Sequence, residues 1–372
     1  MIDKNPRVVL VSFSELPTLQ KYMYLTFDEL RARGIEAWTV GSNNLVSGFE
    51  STSRSILVDT PHSPKPTPGS VMDAMRGAGE LAHRIAKLSP DVVHFVNKHT
   101  WNFFLIRALR KEAPGAKIIH TFHDPVGHSG DAVQKGVVLY HKVVQQMLDG
   151  VVVHSDIAKR QASEQLKVPC ALHQVPLGVC PWHEWNPSFN VRRVLIFGRI
   201  NAYKGVSLYP DILRELAKSA PGVEVIIAGK ASDDVDRSLL EEIDAQPNAR
   251  LVNRFIDESE LDGFFADCGL VLMPYTSITQ SGVVLDAYSH SRCVVAFDIE
   301  GISQYVRDED ALVKPFDCAA YADKVANALA DPDALAEKNH AVWEFGRANF
   351  APSVMANGLL EAYRGVVEKV AK

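Results

Sequence analysis

The 372-residue sequence holds only five cysteines, Cys170, Cys180, Cys268, Cys293 and Cys318, and none forms a CxxC pair. Their scarcity excludes a disulfide scaffold and leaves reduced, buried thiols as the reading. No apolar run approaches the ~20 residues needed to span a bilayer. The opening residues Met1–Arg7 are polar and the apolar run behind them, Val8–Phe13, is short, so no secretory leader is expected and the chain reads as cytoplasmic. An excess of positive charge is missing as well. Net charge is −6, which argues against nucleic acid as a partner because phosphate neutralisation needs clustered Lys and Arg. The charge is uneven: residues 1–185 carry 20 Lys+Arg against 17 Asp+Glu, and the remainder 19 against 28, so only the first half suits an anionic surface. What is present, 47% hydrophobic and 23% charged residues over this length, describes a globular chain too long for one core and about right for two.

Short β-branched runs alternate with stretches of helical period, a pattern that implies α/β domains with parallel sheets covered by helices. Strands are expected at Val8–Phe13, Ala37–Val40, Val92–Val96, Ile118–Phe122 and Val151–His154, and helices at Leu19–Gly34, Val71–Leu88, Trp101–Ala113 and from Ser155, whose side chain can cap its helix. The segment Val175–Arg192, with Pro176, Gly178, Pro181 and Pro187, breaks the rhythm and reads as a linker. A second set follows. Its strands are Val194–Phe197, Val223–Ala228, Arg250–Val252, Leu270–Met273 and Val294–Phe297, and its helices Ser207–Ser219, Ser259–Asp267 and Gly282–Ser291. The domains are accordingly set at 1–185 and 186–349, two Rossmann-like halves facing across a cleft, with the last amphipathic stretch, within 350–372, crossing back to the first. The Pro-rich run Pro61–Pro68 reads as an exposed loop.

Two motifs in the second half carry chemistry. Gly198-Arg199-Ile200-Asn201-Ala202-Tyr203-Lys204-Gly205 ends a buried strand, places two cations five apart and opens a helix, so both charges and the helix N-terminus can converge on a diphosphate. Taken alone, the same residues also describe a solvated basic turn. Thr279-Gln280-Ser281-Gly282-Val283-Val284-Leu285-Asp286 starts another helix, where Ser281 and Gly282 would offer backbone N–H groups and a hydroxyl to a phosphate. About one turn deeper, Asp286 can accept both hydroxyls of a ribose. An ordinary N-cap with a helix-face aspartate is the plainer alternative. In the first half, His120-Thr121-Phe122-His123-Asp124-Pro125 places His123 at a strand's C-terminal end, with Asp124 and His128 as acceptor-side contacts or supports, and Asp131 beyond them. His94 lies inside an apolar strand and reads as a satisfied core histidine. A metal held by His120, His123, His128 and Asp124 is not favoured, because nothing outside this loop completes a ligand set.

These residues resemble family 4 glycosyltransferases. GR(x)4KG after a strand, Ile227-Ala228-Gly229, Asn253-Arg254-Phe255-Ile256, then Pro-Tyr and SGVVLDAY follow the donor half of that family in order and spacing from Arg193 to about Val306, and Val175-Pro176-Leu177-Gly178 is similar to its pattern. The resemblance implies the GT-B fold and a retaining, metal-independent transfer of a hexose-type sugar from a UDP- or GDP-linked donor, with no further cofactor. It places Arg199, Lys204 and Gly198 at the diphosphate, Ser281 and Gly282 at the phosphates, Asp286 at the ribose, the Asn253–Ile256 loop near the base, and His123 beside the donor sugar, with Thr279 or Gln280 substituting by hydrogen bonding for the family's sugar-contacting glutamate. Two departures stand out. The family has two glutamates eight apart, and here Ile278 holds the first place and Asp286 the second. The Gly-rich loop after the first strand is replaced by Ser12-Phe13-Ser14-Glu15-Leu16-Pro17. The expected partners are a nucleotide sugar and a glycan or lipid-diphosphate-linked acceptor of bacterial surface polysaccharide synthesis, with peripheral contact at the inner membrane face through Arg107, Arg110 and Lys111. Two other readings stay open: an epimerase or phosphorylase on the same fold, and a non-catalytic partner subunit.

Overall fold

A computed structural model describes residues 5–44, 52–59, 68–126, 134–306 and 308–368. The chain divides into two compact units, one formed by Met1–Val179 with Pro352–Lys372 and the other by Cys180–Ala351. The division falls inside the Pro-containing stretch 175–190, which holds neither helix nor strand.

In the first unit seven parallel strands, β1 (Val8–Ser12), β2 (Ala37–Ser42), β3 (Ser55–Val58), β4 (Val92–Phe95), β5 (Lys117–Thr121), β6 (Gly150–Val153) and β7 (Ala171–Gln174), lie in the order β3-β2-β1-β4-β5-β6-β7. β1, β4 and β6 are buried along their whole length, which is why they read as mainly apolar runs, interrupted in β4 by buried His94, rather than as alternating ones. Val9, Val11, Val93, Phe95 and Ile118 pack against Leu105, Ile106 and Leu109 of helix Thr100–Glu112. The edge strands β3 and β7 escaped the sequence pattern because neither is fully buried and each has at most three consecutive apolar residues, Ile56–Val58 in β3 and Ala171–Leu172 in β7. Ser155 caps its helix as expected, accepting from the Ala158 N–H at 3.0 Å. Helix Gln134–Val144 was not foreseen. Of the Pro61–Pro68 run, 61–67 lie outside the described residues and Pro68 opens helix Pro68–Ala86.

The last helix, Pro352–Glu368, belongs to this unit. Arg33 donates to Asn357 Oδ1 at 2.9 Å and to the Ser353 carbonyl at 3.0 Å, and Gly358 sits so close to Val175 that a methyl there would lie 2.9 Å from Cγ1. The C-terminal stretch is thereby woven back into the first core.

The second unit holds six parallel strands, β8 (Arg193–Phe197), β9 (Glu224–Ala228), β10 (Ala249–Val252), β11 (Leu270–Met273), β12 (Val294–Phe297) and β13 (Leu312–Val313), in the order β10-β9-β8-β11-β12-β13. The chain leaves β8 toward β9 on one side and returns to β11 on the other, so β8 and β11 flank the point where the strand order reverses, the place where open α/β sheets collect ligands at their strand C-termini. Helices Cys318–Ala330 and Pro332–Phe350, absent from the sequence reading, complete the unit.

Candidate functional site

The loop after β8 is shaped by glycine at the two places where no other residue fits. Gly198 has φ +98°, and a methyl there would overlap Lys204 Nζ; Gly205 has φ +80°, and a methyl there would overlap the Pro274 carbonyl. Between them Asn201 caps the short turn Ala202–Lys204, its Oδ1 accepting from the Lys204 N–H at 3.2 Å. That turn folds Lys204 back beneath the loop. Its side chain is 6% exposed, Nζ donates to the Phe197 carbonyl at 3.2 Å and lies 5.2 Å from the centre of the Tyr275 ring. Burial pulls the ammonium pKa down to about 8, and the Asp286 carboxylate partly restores it. Arg199, one residue beyond Gly198, is exposed and forms no ion pair among the described residues.

The loop after β11 is joined to the first. The Tyr203 carbonyl accepts from Thr276 N–H at 2.8 Å and from Thr276 Oγ1 at 3.2 Å, and Val283 lies 3.3 Å from where a Gly198 methyl would stand. Helix Gly282–Ser289 starts here, with Ser281 as its cap: Oγ accepts from the Val284 N–H at 3.4 Å. The Ser281 N–H is not open to a phosphate, as the sequence suggested, because it donates to Tyr305 Oη at 3.3 Å. The donors left at this helix start are the N–H groups of Gly282 and Val283, which bond to no acceptor among the described residues. Asp286 is half-buried and takes the Cys180 S–H at 2.8 Å. Thr279 and Ile278 are buried and Gln280 half-buried. The Thr279 carbonyl accepts from Gln304 at 3.5 Å. Asn253 serves the scaffold, accepting from the Ala231 N–H at 2.9 Å, and Arg254 is paired with Glu260 at 2.5 Å. A buried cation, an exposed cation, two open N–H groups and a carboxylate thus surround the β8/β11 switch point. The combination suits an anionic group with a diol attached to it.

His123 belongs to the first unit and is described with it. Its Nε2 donates to the Val96 carbonyl at 2.9 Å, so the neutral ring keeps Nδ1 as its acceptor, and burial lowers its pKa while Asp124 opposes the shift. The Tyr22 and His154 rings stand 5.3 and 5.4 Å away. His94 is a core residue, fully buried, with Nδ1 at 2.7 Å from Tyr363 Oη and Nε2 at 2.8 Å from Thr121 Oγ1. His120 is likewise engaged, by the Thr121 carbonyl at 2.9 Å and Tyr140 Oη at 2.9 Å. His128 and Asp131 lie outside the described residues. Of the basic face, Arg107 and Lys111 are exposed, but Arg110 is tied to Asp149 at 2.9 Å.

A family profile described as Glycosyltransferase Family 4 matches residues 19–182, and one described as Glycosyl transferases group 1 matches residues 191–331. The chain belongs to the family 4 glycosyltransferases. The relationship extends over both units. It is 34% identical over 106 residues to a GDP-mannose:glycolipid 4-beta-D-mannosyltransferase of Xanthomonas campestris pv. campestris, covering 28% of this chain and 30% of that protein. It is 26% identical over 262 residues to a phosphatidyl-myo-inositol mannosyltransferase of Mycolicibacterium smegmatis, covering 67% and 64%. The chain thus spans less than two thirds of the length of these relatives. A sucrose-phosphate synthase structure from Thermosynechococcus elongatus superposes with a TM-score of 0.75 at 16% identity, over 98% of this chain and 100% of that one. That likeness shows the fold, GT-B.

Four site-building residues of this glycosyltransferase were missed. Cys180 and Tyr305 reach Ser281 and Asp286 from distant sequence and left no local signal. Tyr275 carries no sequence signal beyond the Pro-Tyr pair. Asn201, three residues before Lys204, has the spacing of a side-chain cap and could have been read as one.

Proposed function

We propose that this family 4 glycosyltransferase moves a hexose-type sugar, with retention of anomeric configuration, from a nucleotide-diphosphate sugar to a glycan or lipid-linked acceptor, in bacterial surface polysaccharide synthesis. The observation that carries the reading is Lys204, a lysine kept beneath a glycine-built loop and held charged at neutral pH beside Asp286 and an open helix start. Burying an ammonium is costly without an anion to meet it, so the arrangement favours a bound diphosphate.

As the bond between the sugar's anomeric carbon and the diphosphate oxygen breaks, negative charge gathers on the leaving group. Lys204, Arg199 and the Gly282 and Val283 N–H groups stabilise it in place, without reorganisation. The acceptor hydroxyl oxygen bonds to the anomeric carbon from the same face and its proton passes to the departing phosphate oxygen, which accounts for retention. Asp286 accepts from the ribose hydroxyls. In the first unit we assign His123, neutral through burial, as the residue that contacts a sugar hydroxyl. The cations Arg199 and Lys204 supply the charge for which other transferases use a metal. Among donors, a nucleotide-linked mannose comes first, since both relatives are named mannosyltransferases, and both names carry a lipid acceptor. No helix of the described residues is long and apolar enough to cross a membrane, and a lipid acceptor would be met peripherally, by Arg107 and Lys111.

Release of nucleoside diphosphate from GDP-mannose and from UDP-glucose, with and without a bacterial lipid extract, tests the reading. Acceptor-dependent release that vanishes in Lys204→Ala supports it. Buried Ile278, at the place of the family's first glutamate, favours a second reading as a non-catalytic subunit. That reading gains if neither donor turns over and Lys204→Ala leaves cellular function intact.

A further inference from the structure

Three side chains of the second unit with no part in the donor site converge on one point. The irregular segment after Cys180 brings His183, helix Glu258–Ala266 brings Asp262, and His290 ends helix Gly282–Ser289. His290 Nε2 lies 2.9 Å and His183 Nε2 3.8 Å from the same carboxylate oxygen, Asp262 Oδ1, and one ligand atom of each residue falls within 4.8 Å of the others.

The second nitrogen of His290 fixes what this means. Nδ1 stands 2.7 Å from the Asp286 carbonyl oxygen, which only accepts, so Nδ1 carries the proton. In the neutral ring Nε2 then turns a lone pair toward a carboxylate oxygen that presents another. Two lone pairs this close require a shared cation, either a proton or a metal ion. A metal satisfies more of the geometry, because it also engages His183, and a histidine whose far nitrogen donates to a backbone carbonyl is oriented as metal ligands are. Ligand atoms 2.0–2.2 Å from a tetrahedral ion stand about 3.4 Å apart, a value that the two distances to Asp262 Oδ1 bracket. The surroundings agree. His290 caps the C-terminal end of an eight-residue helix, where carbonyl groups carry negative partial charge, and Phe265 stacks on its ring with centroids 4.6 Å apart, holding it in place. Asp262, 70% exposed, can swing to complete the set.

We infer that His183, Asp262 and His290 bind a divalent transition-metal ion of the zinc class, with solvent filling the remaining position. The ion would act as a staple. It would join the segment after Cys180 to the helix that carries Asp286, two parts already linked by the Cys180 S–H on that carboxylate. The inference does not depend on sugar transfer.

The test is titration of Co2+ and then Zn2+ into the full chain after chelator treatment. One equivalent of Co2+ should bind with the visible bands of a low-coordinate nitrogen and oxygen site, Zn2+ should displace it, and Zn2+ should raise the melting temperature. In Asp262→Asn and in His183→Ala the Zn2+ affinity should fall at least 10-fold and the melting shift should vanish. Asp262 is exposed enough for its variant to fold normally, which circular dichroism verifies. Failure of the wild-type chain to bind either ion, or uptake unchanged in both variants, overturns the proposal and leaves a His290–Asp262 ion pair.

Discussion

Replacing Lys204 with methionine should separate stability from ligand binding. Burial takes the ammonium from its ordinary 10.5 to about 8, and at 1.36 kcal/mol per pH unit the folded protein carries a penalty of ~3 kcal/mol at neutral pH. Methionine fills a similar volume without charge. It forfeits the hydrogen bond to the Phe197 carbonyl and the contact with the Tyr275 ring, together worth ~1–2 kcal/mol. The second unit of Lys204→Met should therefore be more stable than wild type at pH 7 by ~1–2 kcal/mol, or ~3–6 °C in melting temperature. The pH dependence gives a sharper signature. Folded Lys204 loses its proton near pH 8 and the unfolded chain near 10.5, so between these values the unfolded state binds more protons and stability rises with pH. From pH 7 to 9.5 wild type should gain ~2 kcal/mol that the variant does not. Urea unfolding at both pH values, alongside GDP binding, makes the assay. A variant destabilised at pH 7 with the wild-type pH dependence would refute the reasoning, as would one that still binds GDP normally.

Arg199→Ala, at an exposed residue with no ion pair among the described residues, should leave urea stability within ~0.5 kcal/mol of wild type while weakening nucleoside-diphosphate binding at least 10-fold by calorimetry. Gly205→Ala places a side chain at φ +80° against the Pro274 carbonyl and should cost ~2 kcal/mol or more in urea midpoint while also weakening nucleotide binding. Acid should unfold the first unit first. Burial holds His94 and His154 near 3 and His99 and His141 near 4, so these rings stay neutral in the fold but protonate in the unfolded chain below pH 6.5, and each loses ~2 kcal/mol by pH 5. Limited proteolysis at pH 5 should cut within 1–179 before 180–351, and the reverse order would contradict this. Proton NMR of the transfer product should show the anomeric configuration of the donor, and inversion would rule out same-face transfer.

The interior of both sheets was legible because parallel strands buried on two faces appear as apolar runs; β11 and β12 fall on the residues read from sequence, Leu270–Met273 and Val294–Phe297. Half-buried edges such as β3 and β7 carry no such signal. At the site, the local patterns around Gly198–Gly205 and Ser281–Asp286 named loops that the fold does bring together, since adjacent strands β8 and β11 deliver them to one sheet end. Local pattern could not say which donors the fold consumes. The Ser281 N–H was spent on Tyr305, 24 residues away, and the thiol on Asp286 comes from Cys180, 106 residues away. Such long-range partners are fixed only by tertiary packing.

The most direct test of the central claim is thermal stabilisation of the pure chain by UDP, GDP, ADP and CMP. A ligand at 100 times its dissociation constant adds ~2.7 kcal/mol to the folded state. The account predicts a clear rise in melting temperature with UDP or GDP, lost in Lys204→Met and in Arg199→Ala. No rise with any nucleotide, or a rise that both variants retain, would contradict a diphosphate site at the β8/β11 switch point.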